Sequence, residues 1–155
     1  AGEGTLSQLL AQRAEHVIAI DHSQKMVTFG KKLARENGLA NLEYRLGDIE
    51  SPPIEDKSVD LAVLSQALHH ATSPLLALQE VHRILRPNGR VVILDLLKHS
   101  FEKARDLYAD THLGFAEVEI ADLLEEAGFQ EVENVIADRE EAPPCFQTLL
   151  AVARK

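Results

Sequence analysis

The chain has 155 residues, 45% hydrophobic and 26% charged, the proportions of a soluble globular protein with one core. Its formal net charge of −9 argues against unaided binding to nucleic acid or to an anionic membrane surface. No apolar run approaches the roughly 20 residues that span a bilayer, no signal-peptide pattern opens the chain, and the single cysteine, Cys145, has no internal disulfide partner, which together fit a cytoplasmic setting.

The chain opens Ala1-Gly2-Glu3-Gly4. Glycine at positions 2 and 4 lets the backbone turn tightly and approach a ligand closely. Ser7 stands where the third glycine of a dinucleotide fingerprint would fall. An ordinary glycine turn before a helix accounts for this stretch equally well. In a fold where the glycine turn follows a first strand, that strand would lie ahead of Ala1, so the sequence reads as an amino-terminally shortened fragment.

Leu6, Leu9 and Leu10 have helical spacing, so a helix begins near Thr5 and fades by Ala14. Residues 17–20 are wholly apolar and read as a buried strand ending on Asp21, 19 positions after Gly2. Ser23 is an N-cap for a helix whose inner face carries Met26, Gly30 and Leu33, with Gly38 at its C′ position. Leu42, Tyr44 and Leu46 alternate with polar residues in a second strand, closed by Gly47-Asp48-Ile49. After a polar loop, residues 59–64 form another buried strand that runs into Ser65-Gln66-Ala67-Leu68-His69-His70. Ser73-Pro74 starts a helix with Leu78, Val81 and Leu85 inside, stopped by Arg86-Pro87-Asn88-Gly89. Residues 91–97 are apolar except for Asp95. Helices are expected over 101–108 and 118–127, then strands over 131–137 and 146–153 as an antiparallel pair.

Alternating helices and apolar strands predict an α/β fold in one domain over residues 1–155: a mostly parallel sheet, helices on both faces and an antiparallel closing pair. Ligands in such sheets bind beyond the carboxyl ends of the strands. The residues at those ends are Gly2 and Gly4, Asp21, Asp48 and the stretch from Ser65 to His70. Asp21 could accept from both hydroxyls of a ribose, and Asp48 from an exocyclic amine of adenine. Ile49 could cover the ring and Met26 fill the space beside it. Singly, each has a plain structural explanation as a helix cap, a turn residue or a core side chain.

Taken in this order, Ala1-Gly2-Glu3-Gly4, Asp21, Gly47-Asp48, Val59-Asp60-Leu61 and Ile84-Leu85-Arg86-Pro87-Asn88-Gly89-Arg90 resemble the class I S-adenosylmethionine-dependent methyltransferases, of the type that includes ubiquinone and menaquinone biosynthesis enzymes. The likeness covers nearly the whole chain and implies a Rossmann-like fold. The stretches Ser65-Gln66-Ala67-Leu68-His69-His70 and Phe101-Glu102-Lys103-Ala104-Arg105 are similar to a narrower group, methyltransferase domains found behind arsenical-repressor-type regulators. That group implies a fused regulator module ahead of Ala1.

The resemblance implies S-adenosyl-L-methionine as cofactor and a small-molecule acceptor. Gly2, Glu3 and Gly4 would pass close to its methionine part, and Asp21 would hold the ribose with His22 beside it. Gly47, Asp48 and Ile49 would frame the adenine. Ser65 and Leu68 would border the sulfonium. His69 and His70 are the candidate bases for an acceptor that must lose a proton. His99, Tyr108 and His112 fall in the expected substrate cover. No resident metal is expected, because there is no paired-cysteine or spaced-histidine motif and adjacent residues on a helix point apart. Open strand edges would favour self-association, making a homo-oligomer an expected state. A cofactor-sensing module without turnover is the alternative reading. A nicotinamide oxidoreductase is disfavoured by Ser7.

Overall fold

The computed structural model of the protein describes residues 4–142 and 144–155. The chain divides into two compact units, Ala1–Pro53 and Ile54–Lys155. The predicted turn residues Gly2 and Glu3 lie outside the described residues.

The amino-terminal unit alternates helix and strand: α1 (Thr5–Ala11), β1 (Val17–Asp21), α2 (Gln24–Glu36) and β2 (Leu42–Leu46). The strands pair in parallel from Val17 with Leu42 to Asp21 with Leu46, as the alternation of helices and strands predicts. Ser23 caps α2 as expected, its Oγ accepting from Met26 N. Gly38 leaves the helix in the left-handed conformation at φ 68°. The inner ridge of α2 is Val27, Gly30 and Ala34; Gly30 is as predicted, while Val27 and Ala34 replace Met26 and Leu33, one position on. Met26 and Leu33 flank that ridge half-buried. The core is small: Ala11, Ala19, Val27, Ala34, Leu42 and Tyr44. Tyr44 explains a glycine inside a helix, since a Cβ on Gly30 would sit 2.3 Å from Tyr44 Cε1.

The carboxy-terminal unit holds β3 (Val59–Ser65), a 3-10 turn (Leu68–His70), α3 (Pro74–Ile84), β4 (Leu85–Leu96), α4 (Ala104–Tyr108), α5 (Glu117–Glu126), β5 (Gln130–Arg139) and β6 (Gln147–Arg154). Its sheet has the order β3-β4-β6-β5. The pair β3–β4 is parallel, while β4–β6 and β5–β6 are antiparallel, giving the expected closing pair. The centre is fully buried: Val91, Ile93 and Asp95 on β4, and Leu149 and Ala151 on β6, with Ile120 and Leu124 of α5 also buried. Ser73 Oγ accepts from Leu76 N and Pro74 begins α3, as predicted.

Three expectations are corrected. The strand β3 is not uniformly buried: it is an edge strand of its sheet, and Leu61 is 48% exposed. β4 begins at Leu85, well before residue 91, because Leu85 already pairs with Val59 across a register shift. Asn88 turns the intervening loop at φ 66°. The helix expected over 101–108 is reduced to Ala104–Tyr108, whose N-cap Lys103 supplies no side-chain cap. Among the described residues, no helix is long and apolar enough to cross a membrane.

Candidate active site

In the amino-terminal unit, the predicted cofactor residues gather where two parallel strands end. Asp21 closes β1, and its backbone carbonyl accepts from Gly47 N at 3.1 Å, which holds the two strand ends together. The Asp21 carboxylate is buried, and Oδ1 accepts from Ser23 N at 2.8 Å. His22 beside it is almost wholly exposed, its Nδ1 4.0 Å from Asp21 Oδ1. Past β2, a Cβ on Gly47 would lie 2.5 Å from Pro53 Cδ, so only glycine lets the chain turn here. That turn leaves Asp48 exposed, with Oδ1 accepting from Glu50 N at 2.8 Å, and Ile49 half-buried.

Gly4 caps α1 in the left-handed conformation at φ 82°, and a Cβ there would meet Tyr44 Oη at 2.5 Å. It opens the helix by turning tightly, as predicted. Met26, on the first turn of α2, is half-buried. Burial raises the pKa of the Tyr44 phenol, and the Ser7 side chain partly offsets this. The strand ends thus carry a fixed buried carboxylate, an exposed carboxylate and a neighbouring apolar side chain, two hydrogen-bond acceptors and one apolar surface.

In the carboxy-terminal unit, Ser65 ends β3 exposed. Gln66 follows at φ 49°, and its N donates to Leu94 O at 2.7 Å. A non-glycine residue held in that conformation costs energy and is often found at functional sites. Leu68 is wholly buried, so its side chain packs inward. Its backbone N donates to Asp95 Oδ2 at 2.9 Å. The ring of His69 is also buried, with Nδ1 2.6 Å from Asp95 Oδ1 and Nε2 3.5 Å from Asp110 Oδ1. His70 is 42% exposed at its side chain, and its Nδ1 lies 3.8 Å from the same Asp110 oxygen.

The expectation that adjacent histidines point apart fails here. They sit on a single 3-10 turn rather than an α-helix, and their ring centroids are 3.9 Å apart. The turn is pinned from the segment after α4, where His112 N donates to His69 O and Thr111 Oγ1 to His70 O. His99 is half-buried against Phe146, at 4.6 Å between centroids. Burial lowers its pKa, Asp110 opposes that shift and His69 adds to it. Tyr108, by contrast, is exposed.

Sequence reasoning missed two members of this cluster. Asp95 showed only as an interruption in an apolar strand, and that interruption was its signal. Asp110 has no local signal, since it reaches the histidines from 40 residues along the chain.

A family described as "Methyltransferase domain" matches residues 1–93. The chain is 33% identical over 94 residues to the ubiquinone/menaquinone biosynthesis C-methyltransferase UbiE of Rubrivivax gelatinosus, covering 61% of this chain and 36% of that protein. It is 29% identical over 133 residues to the arsenite methyltransferase of Halobacterium salinarum, covering 82% of this chain and 34% of that protein. The crystal structure of a putative sarcosine dimethylglycine methyltransferase from Galdieria sulphuraria superposes with a TM-score of 0.84 at 17% identity, over 100% of this chain and 76% of that one. At that identity the likeness establishes the fold, which is the Rossmann-like α/β methyltransferase fold. The chain spans 25% to 36% of the length of the first curated relatives it matches. Through the match over residues 1–93, this chain belongs to the methyltransferase domain family.

Proposed function

We propose that the protein transfers a methyl group from S-adenosyl-L-methionine to a small-molecule acceptor. The observation that carries this reading is the pair of carboxylates, Asp21 and Asp48, presented where the parallel strands β1 and β2 end. A buried carboxylate fixed by Ser23 N suits the paired hydroxyls of a ribose. An exposed carboxylate beside an apolar side chain, Asp48 next to Ile49, suits an adenine ring with its exocyclic amine.

When bound, the cofactor supplies an activated methyl on a sulfonium; the chain's residues bind and orient. Asp21 holds the ribose with His22 beside it, while Gly47, Asp48, Ile49 and Met26 frame the adenine. Gly4, which opens α1, is assigned to the methionine part. His70 is the accessible base where the acceptor must lose a proton. With its Nδ1–H toward Ala109 O at 3.3 Å, its Nε2 lone pair is free to receive that proton. His69, held by Asp95, positions the turn that carries His70.

The test is release of S-adenosylhomocysteine by the purified protein with a panel of small acceptors: quinols, phenols, thiols and arsenite. Turnover that depends on both cofactor and acceptor is expected. Tight cofactor binding without turnover for any acceptor class would instead support a sensing module.

A further inference from the structure

We propose that His69, His70 and Asp110 form a binding site for one first-row divalent cation, with Asp95 behind it. The argument starts from proton bookkeeping. Asp95 is buried and accepts from Leu68 N at Oδ2 and from Leu96 N at Oδ1. A carboxylate in that position accepts only, so at the 2.6 Å contact His69 Nδ1 carries the proton. The other ring nitrogen, Nε2, faces Asp110 Oδ1 at 3.5 Å.

Asp110 can only accept as well. Its side chain is 2% exposed, and neither carboxylate oxygen has a hydrogen-bond partner. Asp110 therefore stands without a donor in a buried space, facing His69 Nε2 at 3.5 Å. His70 Nδ1 lies alongside at 3.8 Å and exchanges its contact with Ala109 O, at 3.3 Å, for the ion when one binds. A buried carboxylate without donors is costly unless something positive completes it.

The spacing favours an ion over a shared proton. A proton would draw His69 Nε2 and Asp110 Oδ1 to about 2.7–2.9 Å, whereas they stand 3.5 Å apart. Ligands on a tetrahedral zinc-like ion with bonds of about 2.0–2.1 Å are about 3.4 Å from each other. The three ligand atoms all lie within 4.8 Å of one another. Two imidazoles and one carboxylate, with the remaining position open, is a donor set for Zn²⁺ or Fe²⁺. Asp95 on the far nitrogen of His69 is the outer partner that metal-ligating histidines commonly have. Ala109, in the left-handed conformation at φ 59°, turns the chain at the end of α4 where Asp110 follows.

The ion would enter past His70, the one exposed ligand. In the ion-bound protein His70 is a ligand through Nδ1, and the base role assigned to it above belongs to the ion-free state. The inference is independent of methyl transfer, because its readout is ion binding in the absence of cofactor.

The test is calorimetric titration of chelator-stripped protein with Zn²⁺, paralleled by Co²⁺ with visible absorption. One ion per chain is expected, with the intense Co²⁺ bands of a four- or five-coordinate site. His70→Gln and Asp110→Asn should each weaken Zn²⁺ by at least tenfold, and Asp95→Asn by about 10–100-fold. Cys145→Ser and His16→Gln should leave the affinity unchanged. Near-UV circular dichroism checks that each variant is folded. If Asp110→Asn is not, His70→Gln decides, because His70 is partly exposed and its loss leaves the buried Asp95 contacts intact. Absence of Zn²⁺ binding, or binding that survives His70→Gln unchanged, overturns the proposal.

Discussion

Oδ1 of Asp95 lies 2.6 Å from Nδ1 of His69, inside a unit where both side chains are buried. Asp95 satisfies two backbone N–H groups besides this ring, so it ties the 3-10 turn to the centre of the sheet. Asp95→Asn puts an amide donor against at least one of those three donors. We expect a loss of about 1–3 kcal/mol in unfolding free energy, the cost of an unsatisfied buried polar group. Urea unfolding measures it, and an unchanged midpoint would show that the Asp95 contacts are not structural.

A second expectation concerns Tyr44. Its ring fills the space that Gly30 leaves, with 2.3 Å between an added Cβ and Cε1. Gly30→Ala should therefore destabilise by about 1–3 kcal/mol through overpacking, despite alanine's better helix propensity. Replacing Tyr44 by Leu in the same chain should recover part of that loss. A double-mutant cycle with no coupling between the two sites would contradict the packing account.

Part of the pH response of the carboxy-terminal unit follows from His82, with the half-buried His99 acting in the same direction. Burial lowers its pKa from 6.5, the nearby Lys155 ammonium adds to this, and a hydrogen bond to the Gly128 backbone partly opposes it. A histidine with a depressed folded pKa contributes stability above its unfolded value, and loses it as pH falls through the folded value. Stability should therefore decline as pH drops below 6.5. His82→Gln should flatten that part of the profile of denaturation midpoint against pH. An identical slope in both proteins would assign the decline to other groups.

Asp48 carries the adenine part of the proposal. Asp48→Asn keeps the shape and replaces an acceptor oxygen with a donor. Binding of S-adenosyl-L-methionine and of adenosine should weaken, with a smaller effect on an analogue lacking the exocyclic amine. Equal losses for both kinds of ligand would show that Asp48 does not read that amine.

Local signals were legible in the sequence and long-range ones were not. Ser23 and Ser73 announced their helices because an N-cap is a property of a few consecutive residues. Asp21 and Asp48 were legible because each follows a strand pattern, an apolar run for one and an alternating run for the other, and strand ends are where such sheets bind ligands. The exposure of Leu61 was not, since an apolar run does not say how many strands flank it. The convergence of His69 and His70 was hidden by assuming α-helical geometry over a 3-10 turn. Asp110 was hidden because the chain brings it there only through the turn after α4.

The central claim is a nucleoside-bearing methyl donor held by Asp21, and calorimetric titration of the intact protein with S-adenosyl-L-methionine tests it most directly. The wild type should bind one equivalent, and Asp21→Ala should bind about 10–100-fold more weakly, the loss of roughly 1.5–3 kcal/mol expected for hydrogen bonds to a charged group. Equal affinity in the two proteins, or no binding by the wild type, would contradict it.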